Sequence, residues 1–319
     1  YSPWSMIGEA ARGFVIAKQS PLTLQGIVNT YLCETWEDAK GQEDIPYEYL
    51  FARREDSFSD HELIAPEGCA VITCGIDVQD DRLEIEFVAW GKGQAAPENW
   101  SLHFGVLYGD PSGQKLWEEL DALLLRSWTL PNGRSIAVSS ACIDSGGHYT
   151  SAVYAFVKGR PGRRIYAIKD RGEEGRPPIP NRPSRNNIGK IPLYILGSFS
   201  LKEQVIAQLR IEDVGPGYCH FPDTRPREYF LGLLAEKIVT KWGKGYAKRS
   251  WQKTNRQRNE PLVCRVYALA ALMILNVRNL DKLAIKMNEG DEGGIDEQDA
   301  PMELPRRARP RRNFANRWR

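Results

Sequence analysis

Hydrophobic positions fall into a regular pattern from Ala70 onward. AVITCGIDV is a near-continuous apolar run rich in β-branched residues, Gln79-Asp80-Asp81 is turn-like, and LEIEFVAW alternates before Gly91, which predicts two antiparallel strands. Trp100 to Tyr108 predicts a third strand. Within Gln114 to Trp128, Leu116, Leu120, Leu123 and Leu124 stand at helical spacing, and Ile136 to Ile143 predicts a fourth strand, so the order is βββαβ. A short helix near Thr150 to Val157 and a strand at Arg164 to Ile168 come next. The Gly/Pro/Arg-rich stretch from Asp170 to Lys190 has no periodicity and is expected to be a mobile or ligand-ordered loop. LYIL then predicts a short strand. A helix opened by Ser198 or Ser200 with Glu203, a turn at GPGY, a helix around Tyr229 to Glu236 and a helix from Glu260 to Asn276 complete the globular part.

The flanks differ from this core. Residues 1 to 66 read as helical and then irregular, and the stretch from Glu34 to Glu62 holds ten Asp or Glu against Lys40, Arg53 and Arg54, the composition of a connector. Residues 67 to 287 form the expected globular domain. From 288 to 319 an acidic Gly-rich segment leads to PRRARPRRNFANRWR, with seven arginines and too little apolar surface to fold alone, which predicts a flexible arginine-rich tail. No internal repeat is visible.

Composition narrows the class. With 319 residues, 42% hydrophobic and 26% charged, the chain can bury a sizeable core and is globular, while a net charge of +2 makes no case for an acidic partner by itself. Six cysteines without a Cys-x-x-Cys pair and four histidines at no metal-finger spacing predict a reduced, cytosolic protein without structural zinc. Tyr1 stands where Met would, and no basic region followed by an apolar run opens the chain, so no signal peptide and excision from a longer protein are expected. The longest apolar run, Val263 to Val277, is interrupted by Arg265 and Asn276 and is short of the roughly 20 residues that span a bilayer, so no membrane partner is expected.

Three carboxylates stand at element ends: Asp77 ending the first strand, Asp144 ending the fourth, and Glu260 opening the last helix. In open α/β sheets ligand sites form in the crevice beyond strand ends. Acids gathered there repel one another or take up protons unless a divalent cation compensates them. Asp and Glu oxygens suit Mg²⁺ or Mn²⁺, and two such ions about 3.5 to 4 Å apart promote phosphodiester hydrolysis. Each acid also has a plainer role open to it. Asp77 precedes a turn, Asp144 before Ser145-Gly146-Gly147 suits a cap or turn, and Glu260 beside Pro261 suits a helix N-terminus.

The runs CGIDVQDDRLE, ACIDSGGHYTSAVYAFV, RIYAIKDRG, GYCHFP, EYFLGLLAEK and RNEPLVCRVYALAAL, in this order, resemble the nuclease half of lambda-type (GpA-like) phage terminase large subunits. YSPW and VNTYLCETWED resemble the stretch that joins that family's ATPase motor to its nuclease. The likeness spans most of residues 1 to 277 and implies an α/β, RNase H-like mixed sheet flanked by helices. It also implies two-metal cleavage of concatemeric double-stranded DNA in the cytoplasm of an infected bacterial host, and partnership with a small terminase subunit and a portal protein. By it Asp77 and Asp144 are metal ligands, and Glu260 is placed as the third acid. Val263 stands where relatives often show Asp, a departure that puts the third ligand in doubt. No G-x-x-x-x-G-K-[ST] occurs, so ATP hydrolysis is not expected from this chain.

Basic residues mark the expected DNA surface. Between Lys241 and Arg258, KWGKGYAKRSWQKTNRQR carries seven basic residues (Lys241, Lys244, Lys248, Arg249, Lys253, Arg256 and Arg258) and no acid, immediately before Glu260. A solvated edge hairpin has the same look. Lys169 and Arg171, in a stretch from Lys158 to Lys190 with ten basic and three acidic residues, offer a second contact region. His148 is set aside as incidental to a Gly-rich loop. The tail would clamp DNA or dock on the portal. Two other functions stay open: a docking module whose metal site is degraded at Val263, and a different RNase H-like enzyme such as a transposase or resolvase.

Overall fold

The computed structural model describes residues 4–17, 27, 44–59, 61–160, 162–185, 190–243, 246–253 and 257–289. Among them the first strands are β1 (Arg54–Glu55), β2 (Val71–Val78), β3 (Arg82–Trp90), β4 (Asn99–Tyr108), β5 (Ser127–Thr129) and β6 (Ser135–Asp144). Then come β7 (Ile165–Arg171), β8 (Ser184–Arg185), β9 (Pro192–Gly197), β10 (Cys219–Pro222), β11 (Glu236–Gly243) and β12 (Tyr246–Lys253). The helices are α1 (Trp4–Ala17), α2 (Tyr47–Phe51), α3 (Gln114–Leu124), α4 (Thr150–Lys158), α5 (Ser198–Leu209), α6 (Arg227–Leu233), α7 (Glu260–Leu275) and α8 (Leu280–Asn288).

Ten strands make one sheet in the order β1-β10-β4-β3-β2-β6-β7-β9-β8, with β5 paired to β6, and β11 and β12 form a separate hairpin. At the centre β2, β3 and β4 pair antiparallel, while β6 runs parallel to β2 and β7 parallel to β6. These five strands have the RNase H-like arrangement: the first lies in the middle, and only the second is reversed.

Side chains alternate across the sheet. Ile72, Cys74 and Ile76 of β2 pack with Leu116 and Leu120 of α3 and Val153 of α4 on one face. On the other face lies α7, which is apolar nearly all round and buried along most of its length, as a central helix must be. The Thr73 hydroxyl donates to the Ala268 carbonyl of α7 at 2.7 Å and accepts from the Trp90 indole at 2.7 Å. Two residues on, a Cβ at Gly75 would stand 2.0 Å from the Cys264 carbonyl oxygen and 2.6 Å from the Ala268 nitrogen. Only glycine lets α7 lie this close to β2. Asp77, two residues further, therefore lies on the face that carries α7.

The structure departs from the sequence expectations at several ends. The third helix stops at Leu124, and Trp128 instead enters the core from β5, so the order is βββαββ. β7 runs on to Arg171, taking in Asp170, and the loop that follows contains β8, which pairs with β9. Neither Ser198 nor Ser200 caps α5: Gly197 occupies that position, and the Ser200 hydroxyl donates to the Arg176 carbonyl at 3.1 Å. CHFP, which no expectation assigned to an element, is a strand between β1 and β4. α6 ends at Leu233, and Glu236 already belongs to the hairpin. α8, which no expectation covered, ends on Asn288, whose amide donates to the Cys69 carbonyl and whose amide oxygen accepts from the Gly68 N–H.

Residues 44 to 59, within the stretch expected to be a connector, contribute β1 to the sheet and buried Leu50 and Phe58 to the core. His220 of β10 ties this region down. Its Nδ1 lies 2.5 Å from Glu55 Oε1 and its Nε2 2.9 Å from Glu98 Oε1, and its ring stacks on Trp100. Cys69, Cys74, Cys142, Cys219 and Cys264 are free and buried. Among the described residues no single helix is long and apolar enough to cross a membrane.

Two measurements check this packing. Gly75→Ala is expected to lower stability in urea unfolding by roughly 1–3 kcal/mol or more, because backbone rather than a flexible side chain must move. Burial lowers the His220 pKa, but the two carboxylates outweigh it and the net shift is upward from 6.5. The stability this group contributes is thus present below pH 6.5 and is lost as pH rises through the raised value. Melting curves of His220→Gln and wild type should differ most at mildly acidic pH and converge in alkali.

Candidate active site

The end of β2 and the end of β6 meet side by side. Ile76 is level with Ile143 in the parallel register, which puts Asp77 beside Asp144. Asp170, near the end of β7, has the same orientation as Ile168, the residue level with Asp144, and so shares that face. On the antiparallel side Glu84 of β3 is directly opposite Asp77. Each strand alternates, so these acids all project toward α7.

Electrostatics register the crowding. Burial raises the Asp77 pKa from 3.8 to about 6; Asp144 adds to the rise, the Gln79 amide opposes it, Glu260 raises it further and Arg82 opposes it. Burial likewise raises the Asp144 pKa, against the Gly146 N–H that Asp144 Oδ1 accepts at 2.9 Å, with Asp170 raising it and Lys169 lowering it. From the helix side, buried Tyr267 has a pKa pushed far up, first by burial and then by Asp144, Asp77 and Asp170. Tyr267 is thus near enough to all three aspartates to feel their charge.

Glu260 opens α7 as expected and is 8% exposed. It leans toward β3, where Arg82 Nη2 lies 3.2 Å from its Oε1 and Arg258 Nε 3.5 Å from its Oε2. The same two arginines hold Glu84, Arg82 Nε at 2.7 Å and Arg258 through its Nη2. Among the described residues no three acids close into a tight metal cage. The three acids singled out from sequence lie near one another, but they do not converge on one point: Asp77 and Asp144 are side by side, and Glu260 is paired with Arg82 and Arg258. Val263 is a partly buried hydrophobic packed on the apolar core. Its position one turn below Tyr267 is a lining position, and it offers no oxygen.

Sequence reasoning missed Glu84, Asp170, Arg82 and Tyr267. Glu84 and Glu86 read as the polar side of an alternating strand, although both are buried. Asp170 repeats the signal that marked Asp77 and Asp144, an acid closing an apolar strand. Nothing in the sequence distinguishes Tyr267 from its apolar neighbours.

The expected DNA contacts separate into groups. Lys241 and Lys248 are directly opposed across the hairpin and exposed, a like-charge pair that destabilises a sheet unless an anion lies over it. Lys253 and Arg171 are exposed, and Lys169 is half-buried beside Asp144. Arg249 is committed within the fold, to Glu174 at 2.7 Å and Glu203 at 3.3 Å, and Arg258 to Glu84 and Glu260. Both therefore sit in ion pairs within the fold. Lys244 and Arg256 lie outside the described residues. Exposed His148 is 3.4 Å from Asp80 at the rim.

Comparison with known proteins decides the family. The model of the terminase large subunit gpA endonuclease domain matches residues 1–283. The chain belongs to that family. It is 31% identical over 303 residues to the terminase large subunit of Escherichia phage lambda, covering 92% of this chain and 46% of the relative. Identity to the terminase large subunit of Enterobacteria phage P21 is 30% over 284 residues, 86% of this chain and 42% of the relative. The chain thus spans less than half the length of these two relatives. Among solved structures, a variant nuclease domain of the large terminase subunit gp2 of bacterial virus Sf6 with manganese covers 72% of this chain and 96% of its own, at TM-score 0.37 and 12% identity. Thermus thermophilus RuvC covers 31% and 64%, at TM-score 0.22 and 17% identity.

The carboxylate oxygens of this gpA-type endonuclease domain suit a hard divalent cation, and a buried aspartate with a pKa near 6 is what such a cation would relieve. Because the folded pKa is raised, stability from this group is present below pH 3.8 and is lost as pH rises through about 6, a loss of roughly 3 kcal/mol in metal-free protein. Asp77→Asn removes that loss. In EDTA the variant should melt above wild type at neutral pH and close to it at pH 4, and added Mn²⁺ should raise the wild-type Tm while leaving the variant's unchanged.

Proposed function

We propose that this domain hydrolyses phosphodiester bonds of double-stranded DNA with divalent cations, Mg²⁺ or Mn²⁺, held by Asp77, Asp144 and Glu260. The observation that carries it is the meeting of Asp77, Asp144 and Asp170 beneath Tyr267 at the ends of parallel strands. A pair of such cations, held by these acids, would supply Lewis acidity and an activated water. The protein supplies placement. Gln79 Nε2 donates to Asp77 Oδ2 at 2.6 Å and fixes that carboxylate, while the Gly146 N–H fixes Asp144. Tyr267 covers the site from α7 with a buried ring.

The hairpin serves as the docking edge for the duplex. Glu236 at its base is held by Lys202 at 2.7 Å and by Asn259 at 2.5 Å, and Asn259 immediately precedes Glu260. A phosphate backbone lying on Lys241 and Lys248 is therefore referenced to the metal-binding helix through a single residue. The whole terminase would cut concatemeric phage DNA in the cytoplasm of the infected bacterium, with a small terminase subunit and a portal protein as partners. Members of the family as long as the lambda protein have room for a motor in the part this chain does not match.

Plasmid nicking and linearisation in Mn²⁺ test the activity. Asp77→Ala and Asp144→Ala should each lose roughly 100-fold or more, since loss of groups that merely support a ligand already costs 10–100-fold. Full activity in both variants would rule the assignment out, and strand-transfer products would point to a transposase-like enzyme. Duplex binding in EDTA should weaken steeply with salt, and Lys241→Ala with Lys248→Ala should lower the slope of log affinity against log salt by about 2.

A further inference from the structure

Glu84 and Glu260 are already compensated in this structure. Arg82 bridges Asp81, Glu84 and Glu260 at 2.7, 2.7 and 3.2 Å, and Arg258 reaches both Glu84 and Glu260. Asp77 and Asp144 have no arginine or lysine bonded to them among the ion pairs of the described residues. Facing α7 are thus five carboxylates, Asp77, Glu84, Asp144, Asp170 and Glu260, of which the two glutamates are matched by two arginines, Arg82 and Arg258. The aspartates remain as surplus negative charge, which suits a divalent ion.

The arginines are not equivalent. Arg82 is 18% exposed at its side chain and makes hydrogen bonds to both Glu84 and Glu260. Arg258 is 55% exposed, and its Nε stands 3.5 Å from Glu260 Oε2, a buried oxygen that has no hydrogen bond. Coulomb attraction holds this contact without a directional bond, so a better donor or a cation can replace it. Arg258 also lies between the basic hairpin and α7, at the edge where a duplex would approach. A guanidinium exchanges readily between carboxylate and phosphate because both accept its paired N–H groups.

Resting on the metal-site function proposed above, we propose that Arg258 holds Glu260 in place of a second divalent cation, so that the site binds one cation at rest and admits the other when a DNA phosphate takes the guanidinium. The phosphate brings the further negative charge that a second cation needs. Cutting is thereby limited to moments when duplex lies across the hairpin, with no movement of the fold required.

Isothermal titration of Mn²⁺ into the DNA-free protein tests the idea. Wild type should take one Mn²⁺ tightly and a second weakly. Arg258→Gln should tighten the second site about tenfold or more while leaving the first in place. Arg258→Lys, which keeps the charge, should resemble wild type, and Arg258→Gln combined with Glu260→Gln should lose the second site again. Two sites of equal affinity in wild type, or an unchanged second site in Arg258→Gln, would overturn the role of Arg258 while leaving the metal site intact. No Mn²⁺ bound by wild type would sink the metal site and this role together. In EDTA, Arg258→Gln should also lower the salt slope of duplex binding by about 1; an unchanged slope would show that no phosphate takes the guanidinium.

Discussion

Negative charge brought together at the ends of neighbouring parallel strands is the constraint from which the rest of this site follows. Asp77 and Asp144 are side by side because β2 and β6 are parallel and in register, and burial raises both pKa values, with Asp144 opposing the ionisation of Asp77 and Asp170 that of Asp144. A fold built for stability alone would place apolar residues there. Keeping the acids makes sense where a cation is to be bound, and the same unfavourable energy that weakens the metal-free protein would favour cation binding.

Close packing turns that local tension into a defined site. Gly75 brings the backbone of α7 against β2, Thr73 fixes its height through the Ala268 carbonyl, and the Cys264 thiol donates to the Glu84 carbonyl at 3.3 Å. Below the site, Glu86 and Arg265 are fully buried, with Tyr229 donating to Glu86 at 2.6 Å and Arg225 donating to the Ser101 carbonyl at 2.8 Å. These contacts pin α7 at several heights. Glu260 at its start and Tyr267 two turns on are consequently presented to the strand ends as parts of one rigid body. The division of the acids into an uncompensated aspartate group and an arginine-bound glutamate pair then follows from which strand each occupies.

Much of the core was legible along the chain. Apolar runs and alternation located β2, β3, β4 and β6, helical spacing located α3, a long apolar run opened by Glu260 and Pro261 located α7, and the rule that acids at strand ends deserve notice picked out Asp77 and Asp144. Short or edge elements were not legible. β5, β8 and β10 have at most four residues, and two-residue or three-residue segments carry no period to detect. The ends of α5 and α6 were misplaced because capping depends on which backbone groups neighbouring segments already satisfy, as Ser200 does by bonding Arg176 instead of the helix start. The ion pairs of Arg249 and Arg258 were not legible because a charge run says nothing about which acids face it.

By itself, then, the amino-acid sequence determined the strands and helices of the core, the RNase H-like class through its ordered motifs, and the kind of chemistry, since those depend on local periodicity and residue type. Only the tertiary structure decided that Glu84, Asp170 and Tyr267 join the site, that Glu260 leans toward Arg82 and Arg258, and that α8 and β1 complete the body. The physical reason is that these outcomes depend on how the elements pack and on Coulomb interactions across them, such as Arg82 with Glu260, separated by 178. Such interactions leave no mark on the pattern of neighbours along the chain.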